Sequence, residues 1–186
     1  IVAPALGTIP ELGMWLQQQV AGEVVLQALI GPAGVQLGAR IADAAHKLHQ
    51  AGLVPRRSHS MVDELIILAQ RLVLLAQKEP KLAARLGCVL AACRRQGMAA
   101  PVTAFCGIHR DFYFDQLLID QQRLYLIDLD LYSLGDPALD IGNFIAHLTE
   151  YALRSYGNPL ALAAQEQAMF ERFLELNTNA APETIH

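Results

Sequence analysis

With 186 residues, a formal charge of −4 and a pI near 5.8, the chain is about one domain in size, and it is too acidic for a broad nucleic-acid surface, which needs clustered Lys and Arg. Hydrophobic residues make up 53% of it and mean hydropathy is +0.28, yet charges interrupt every apolar run short of the roughly 18 residues that cross a bilayer. Cys88, Cys93 and Cys106 form neither an even disulfide set nor a CxxC knuckle, which reads as reduced thiols in a cytoplasmic protein. The opening IVAPALGTIPELG lacks the basic leader, apolar block and cleavage site of a secretory signal. Without an initiator Met, the chain reads as starting inside a longer protein.

In chain order, residues 12–20 (LGMWLQQQV) read as one extended strand stopped by Gly22. From Gln36 to Gln50, Leu37, Ile41, Ala44, Ala45 and Leu48 recur at helical spacing, with Gly52 as a stop. His46 and His49 lie on that helix one turn apart and, with no third ligand in view, read as surface or packed residues rather than a metal pair. Ser60 and Asp63 resemble a capping box opening MVDELIILAQRLVLLAQ, which is apolar on most sides and predicts a central, buried helix. Pro80 opens the next helix and Gly97 closes it.

The texture then changes. VTAFCG reads as a short strand, and LLI and RLYLID as two strands around the turn IDQQR. Helical patterning returns after Asp140, breaks at GNP (157–159) and runs to Leu176, leaving TNAAPETIH as a frayed tail. The whole is α+β, mainly helical, with a hairpin region set among helices.

Between His109 and Asp140 stand seven aspartates (111, 115, 120, 128, 130, 136 and 140) against Arg110 and Arg123, a net of −5, which leaves +1 for the rest of the chain. Carboxylates packed this closely repel unless water or a cation intervenes, and oxygen donors suit the hard ion Mg²⁺. Within this segment HRDFYFDQ (109–116), the strand pair ending in LID at Asp128, and GDPALD (135–140) occur in that order.

That series resembles the catalytic and metal-binding loops of the protein-kinase-like superfamily, and more closely its aminoglycoside phosphotransferase and choline kinase branch, where His-x-Asp is followed four residues later by Asn, then a strand ending in Asp, then GDPxxD. The resemblance implies the C-terminal lobe of a kinase-like fold and ATP-dependent phosphorylation of a small-molecule hydroxyl, with ATP and Mg²⁺ required. On it, Asp111 is the catalytic aspartate, Asp128 a metal ligand, and Gln116 a metal ligand with an amide one methylene longer than the family's Asn. His109, Asp136 and Asp140 take structural roles, while Asp115 and Asp130 are candidates for a second metal contact or a cationic substrate.

By the same resemblance WLQQQVAGEVV (15–25) matches the hinge that pairs with adenine through backbone groups, here Gln17, Gln18, Gln19 and Val20. Residues 1–22 then end an N-terminal lobe, 23–178 form the helical lobe and 179–186 the tail. The superfamily's glycine-rich loop and strand lysine belong before the hinge, whereas Lys47, Lys78 and Lys81 all follow it, so these residues alone are expected to be inactive. Two alternatives share the pattern: a pseudokinase or nucleotide-binding module, and a Mg²⁺-dependent phosphohydrolase. The partner is a small-molecule hydroxyl compound, an aminoglycoside, choline-like amine, sugar or amino-alcohol, with no nucleic acid or membrane.

Overall fold

The computed structural model describes residues 2–100 and 104–177. A hairpin opens it, β1 (Ala5–Ile9) pairing antiparallel with β2 (Met14–Gln17) through a 3₁₀ turn at Pro10–Leu12. The extended strand expected over 12–20 is thus shorter, and it has a partner. ALGTI lies between two prolines and carries a glycine, so its strand signal is weak on its own and is completed by the ladder with β2.

After β3 (Glu23–Val24) and the single turn α1 (Leu26–Leu29), α2 (Gly34–His49) forms where its periodicity indicates. Gly22 precedes β3 with φ +138, and a Cβ there would lie 2.8 Å from the Ile119 carbonyl oxygen, so the strand junction admits only glycine. The capping box forms at Ser60: its amide donates to Asp63 Oδ2 at 2.8 Å while Asp63 N donates back to Ser60 Oγ, and that pairing lowers the Asp63 pKa. The helix it starts, α3 (Met61–Lys78), is not the central buried one expected from its composition. None of its residues is buried, and Val62, Ile66, Val73 and Leu74 are more than half exposed. Its packing partner is α4 (Ala83–Ala99), so half of an all-round apolar helix stays uncovered. Gly97 does not close α4, which continues to Ala99; its missing side chain lets α3 approach, since a Cβ would lie 3.0 Å from Met61 Cγ.

Of VTAFCG, Val102 and Thr103 lie outside the described residues, and the strand β4 occupies Cys106–Ile108. It pairs with β7 (Ser133–Gly135), and the Ser58–His59 segment joins the other side of β7. Between them β5 (Leu117–Asp120) and β6 (Arg123–Leu126) form the expected hairpin, extended to three strands by β3. The chain ends in α5 (Ala138–Tyr156) and α6 (Ala163–Leu176); the expected tail, from 178 onward, is outside the described residues.

The core lies where α2, α5 and α6 converge under the β5–β6 hairpin. Ile41, Ala45, Leu48, Phe112, Leu117, Ile141, Phe144, Leu148, Met169 and Phe173 fill it. The strands and the loop 109–116 are thereby seated on a rigid helical base. Among the described residues no helix is long and apolar enough to cross a membrane.

Candidate active site

Everything in the candidate site hangs from one buried carboxylate. Asp140, in the first turn of α5, has no solvent exposure. Its Oδ2 accepts from His109 N and from His49 Nε2, both at 2.9 Å, and its Oδ1 accepts from Arg110 N at 2.7 Å. A buried carboxylate is tolerable only when it is hydrogen-bonded, and three donors converge on this one. The same bonds hold Arg110 at φ +74, a left-handed conformation that non-glycine residues seldom adopt unless their surroundings impose it.

That turn aims the next residues. Phe112 drops into the core against Phe144, ring centroids 5.4 Å apart, and its carbonyl accepts from Asn143 Nδ2 at 3.2 Å. Asp111, half-buried, is held on the opposite course and accepts from Gln116 Nε2 at 3.3 Å. His109 is fully buried; its Nε2 donates to the Ile127 carbonyl at 2.9 Å and its Nδ1 has no partner among the described residues. Ile127 N in turn donates to the Gln116 carbonyl at 3.0 Å. Ile127 is thus fixed from both sides immediately before Asp128, which is exposed at φ +56, a second left-handed non-glycine residue.

The Tyr113 phenol senses the arrangement. Burial raises its pKa first, and the charges of Asp111, Asp115 and Asp128 raise it further, while the Gln116 amide acts the other way. Its ring stacks on His147 at 4.5 Å. The structure therefore hydrogen-bonds Asp111 to Gln116, ties Gln116 to the residue before Asp128, and sets Asp111, Asp115 and Asp128 around the Tyr113 phenol; Asp115 is exposed, as is Asp130 on the following loop. Asp136 Oδ1 accepts from Ala138 N at 2.9 Å and caps α5. Cys106, on β4, has its thiol pushed up to about 12 by burial and then by Asp140 and Asp136.

Sequence reasoning passed over Asn143 and Tyr113, and read His49 as a surface or packed residue without its bond to Asp140. His49 had a signal, a polar residue directly after Leu48 on the inward face of α2, but its partner is 91 residues away and invisible to local spacing. In the hinge-like segment Gln17, Gln18 and Gln19 are exposed and Val20 half-buried. Gln18 N is engaged by the Pro4 carbonyl at 2.8 Å, whereas Gln19 and Val20 make no backbone hydrogen bond among the described residues.

Magnesium would meet hard oxygen donors here: the Asp128 carboxylate, and the Gln116 amide oxygen left over when Nε2 turns to Asp111. Among the described residues no group of three or more His, Cys, Asp or Glu could hold a metal ion. Mg²⁺ commonly takes only one or two carboxylates and completes its shell with water and phosphate.

Comparison with known proteins bears on the fold and the family. Among curated proteins none matches. Solved structures do: a choline/ethanolamine kinase family protein from Mesorhizobium loti (18% identity, TM-score 0.68, covering 94% of this chain and 56% of that one), an aminoglycoside-3′-phosphotransferase of type VIII (14%, 0.62, 98% and 70%), and a glucosamine kinase in complex with glucosamine, ADP and inorganic phosphate (16%, 0.57, 84% and 46%). At these identities the likeness establishes the kinase-like fold. The chain spans about half the length of the first and third of these, 56% and 46%. The phosphotransferase enzyme family matches residues 6–176, nearly the whole chain. The chain belongs to that family.

Proposed function

We propose that the protein carrying these residues is an ATP-dependent kinase that phosphorylates a hydroxyl of a small molecule. The observation that supports this best is the buried Asp140 tether, which holds the loop so that the Asp111 carboxylate stands beside Gln116, while Asp111 and Asp128 both lie close enough to Tyr113 to act on its phenol. In this reading Asp111 accepts a hydrogen bond from the acceptor hydroxyl and takes its proton as the oxygen becomes a nucleophile. Gln116 orients Asp111 through Nε2 and offers its amide oxygen, with Asp128, to Mg²⁺. The ion, when bound, neutralises phosphate charge as it builds up. Backbone groups of Gln17, Gln18, Gln19 and Val20 form the adenine edge; among the described residues those of Gln19 and Val20 are not taken up by another backbone group. Residues 1–22 then end an N-terminal lobe and 23–178 form the helical lobe.

The −5 charge of the 109–140 segment favours a cationic or polyhydroxylated acceptor over an acidic one. Asp115 and Asp130, both exposed, are the side chains suited to meet it or a second metal ion. His109, Asp136 and Asp140 support the loop without touching the reacting atoms.

The test is a screen of the full-length protein with ATP and Mg²⁺ against aminoglycosides, choline-like amines, sugars and amino-alcohols. Asp111→Asn should lower turnover on any acceptor found by about 10²–10⁴-fold while nucleotide affinity stays within about twofold. Unchanged turnover in that variant, or release of free phosphate with no phosphorylated acceptor, would overturn the assignment.

A further inference from the structure

A cleft of about 460 Å³ lies between the middle of α2 and the β5–β6 hairpin, and its lining includes none of the residues placed in the candidate active site. Arg40, Asp43 and Lys47 rise from α2 at i, i+3 and i+7, one face of a helix. Gln122, Arg123 and Tyr125 face them from the turn and from β6.

The charges in it do not cancel. Asp43 is already engaged from outside the cleft by Arg172, whose Nε donates to its Oδ1 at 2.8 Å. Arg40 Nη2 donates to the Gln122 carbonyl at 2.8 Å, which fixes the guanidinium at the wall and leaves its charge uncompensated. Asp120 is the cross-strand partner of Arg123, yet among the described residues no carboxylate forms an ion pair with Arg40, Lys47 or Arg123. Three unpaired cations around one concavity, in a chain of net charge −4, repel one another until an anion enters.

We propose that this cleft is a binding site for a small multiply charged anion, one carrying two or more phosphate or carboxylate groups. Its volume is within the range of small-ligand sites. Arg40 and Arg123 present planar forks that match an oxyanion in two places at once, Lys47 adds a point charge, and the Tyr125 ring supplies an apolar wall for the organic part of the ligand. None of these residues belongs to the site built on Asp111, so the proposal stands whether or not the protein transfers phosphate.

The experiment is calorimetric titration with inorganic pyrophosphate and, separately, citrate, in EDTA so that Mg²⁺-dependent binding elsewhere is silent. The proteins compared are the wild type, Lys47→Gln, Arg123→Gln and Asp128→Ala. Lys47 and Arg123 are exposed, so their variants should fold, with circular dichroism as the check. At least one anion is expected to bind below about 1 mM; loss of either cation should weaken it about tenfold, and the Asp128 variant should bind like the wild type. Affinity should fall as NaCl is added. Whether pyrophosphate or citrate is the tighter ligand separates a phosphate-selective site from a carboxylate-selective one. Absence of binding by both anions, binding that survives both cation substitutions, or binding lost in Asp128→Ala would each overturn the proposal.

Discussion

Asp140→Asn changes one buried oxygen to an NH₂ group and nothing else, and it probes the tether on which the candidate site depends. Asparagine has one acceptor where aspartate has two. Its best placement sets the oxygen at the Oδ2 position, where His109 N and His49 Nε2 converge at 2.9 Å, which puts the NH₂ group against Arg110 N at about 2.7 Å. A donor then faces a donor, and the two surviving hydrogen bonds lose their charge assistance. An orphaned buried donor costs about 1–3 kcal/mol, and the weakened bonds bring the sum to about 2–4 kcal/mol. Against a typical total of about 5–15 kcal/mol the variant should still fold. It should, however, release Arg110 from φ +74, and Asp111 follows directly in the chain. Turnover should therefore fall about 10–100-fold, with nucleotide KM nearly unchanged, because misplacing the carboxylate proposed as catalytic affects the transition state first. Urea unfolding, read as a shift in midpoint at constant m-value, measures the first effect, and Mg²⁺-ATP-dependent transfer the second. A stability change under about 0.5 kcal/mol together with unaltered turnover would refute the tether.

Other expectations follow from the same geometry. Asp128→Ala should abolish Mg²⁺-dependent tightening of ATP binding, measured by titration with and without the ion; identical curves for wild type and variant would remove Asp128 from the metal site. Burial raises the Glu166 pKa while the hydrogen bond from Thr149 Oγ1 at 2.8 Å opposes it, so the folded state holds its proton longer than the unfolded chain, and stability must decline as pH rises from the ordinary carboxylate range through the folded value. Glu166→Gln keeps an acceptor for Thr149 and should raise Tm at pH 7 while leaving it nearly unchanged at pH 4; a lower Tm at pH 7 would contradict this. With its thiol pushed up to about 12, Cys106 should be ionised to only about 10⁻⁴ at pH 8, so iodoacetamide should label exposed Cys88 first, and mass mapping that finds Cys106 modified earlier would show the burial misjudged.

The helix over 34–49, the hairpin over 117–126 and the two terminal helices were legible because each carries its own period and its own punctuation: an inward apolar stripe, a polar two-residue turn, a glycine at 157 with φ +67. The capping box at Ser60 was legible for the same reason, since all its partners lie within three residues. What the chain hid depends on contacts at long range. MVDELIILAQRLVLLAQ is apolar on most sides, which ordinarily means burial, but burial is decided by which elements arrive to cover a helix, and here, among the described residues, its main packing partner is α4. The first strand, ALGTI, hid behind its prolines until its ladder with residues 14–17 was seen. In the site, the spacing of His109, Asp111, Gln116 and Asp128 could be read directly, whereas the bond from His49 to Asp140 joins residues on two helices 91 positions apart and leaves no periodic trace.

The packing behind that bond also explains why α2 rather than α3 is the central helix. α2 packs along α6 and meets the core through Leu37, Ile41, Ala45 and Leu48, so its position is set by burial on one side. Once placed, it delivers His49 inward to Asp140 and presents Arg40 and Lys47 to the cleft beside the β5–β6 hairpin. The hairpin is divided in the same way: Leu117 and Leu126 are buried in the core, Arg123 and Tyr125 line the cleft, and the strand leads through Ile127 to Asp128. Apolar burial therefore fixes α2 and β6 against each other, and the polar residues they carry are positioned as a consequence of that packing. A substitution that shifts α2 along its axis, such as enlarging Ile41, should disturb the Asp140 tether and the basic cleft together, whereas substitutions on α3 should leave both intact.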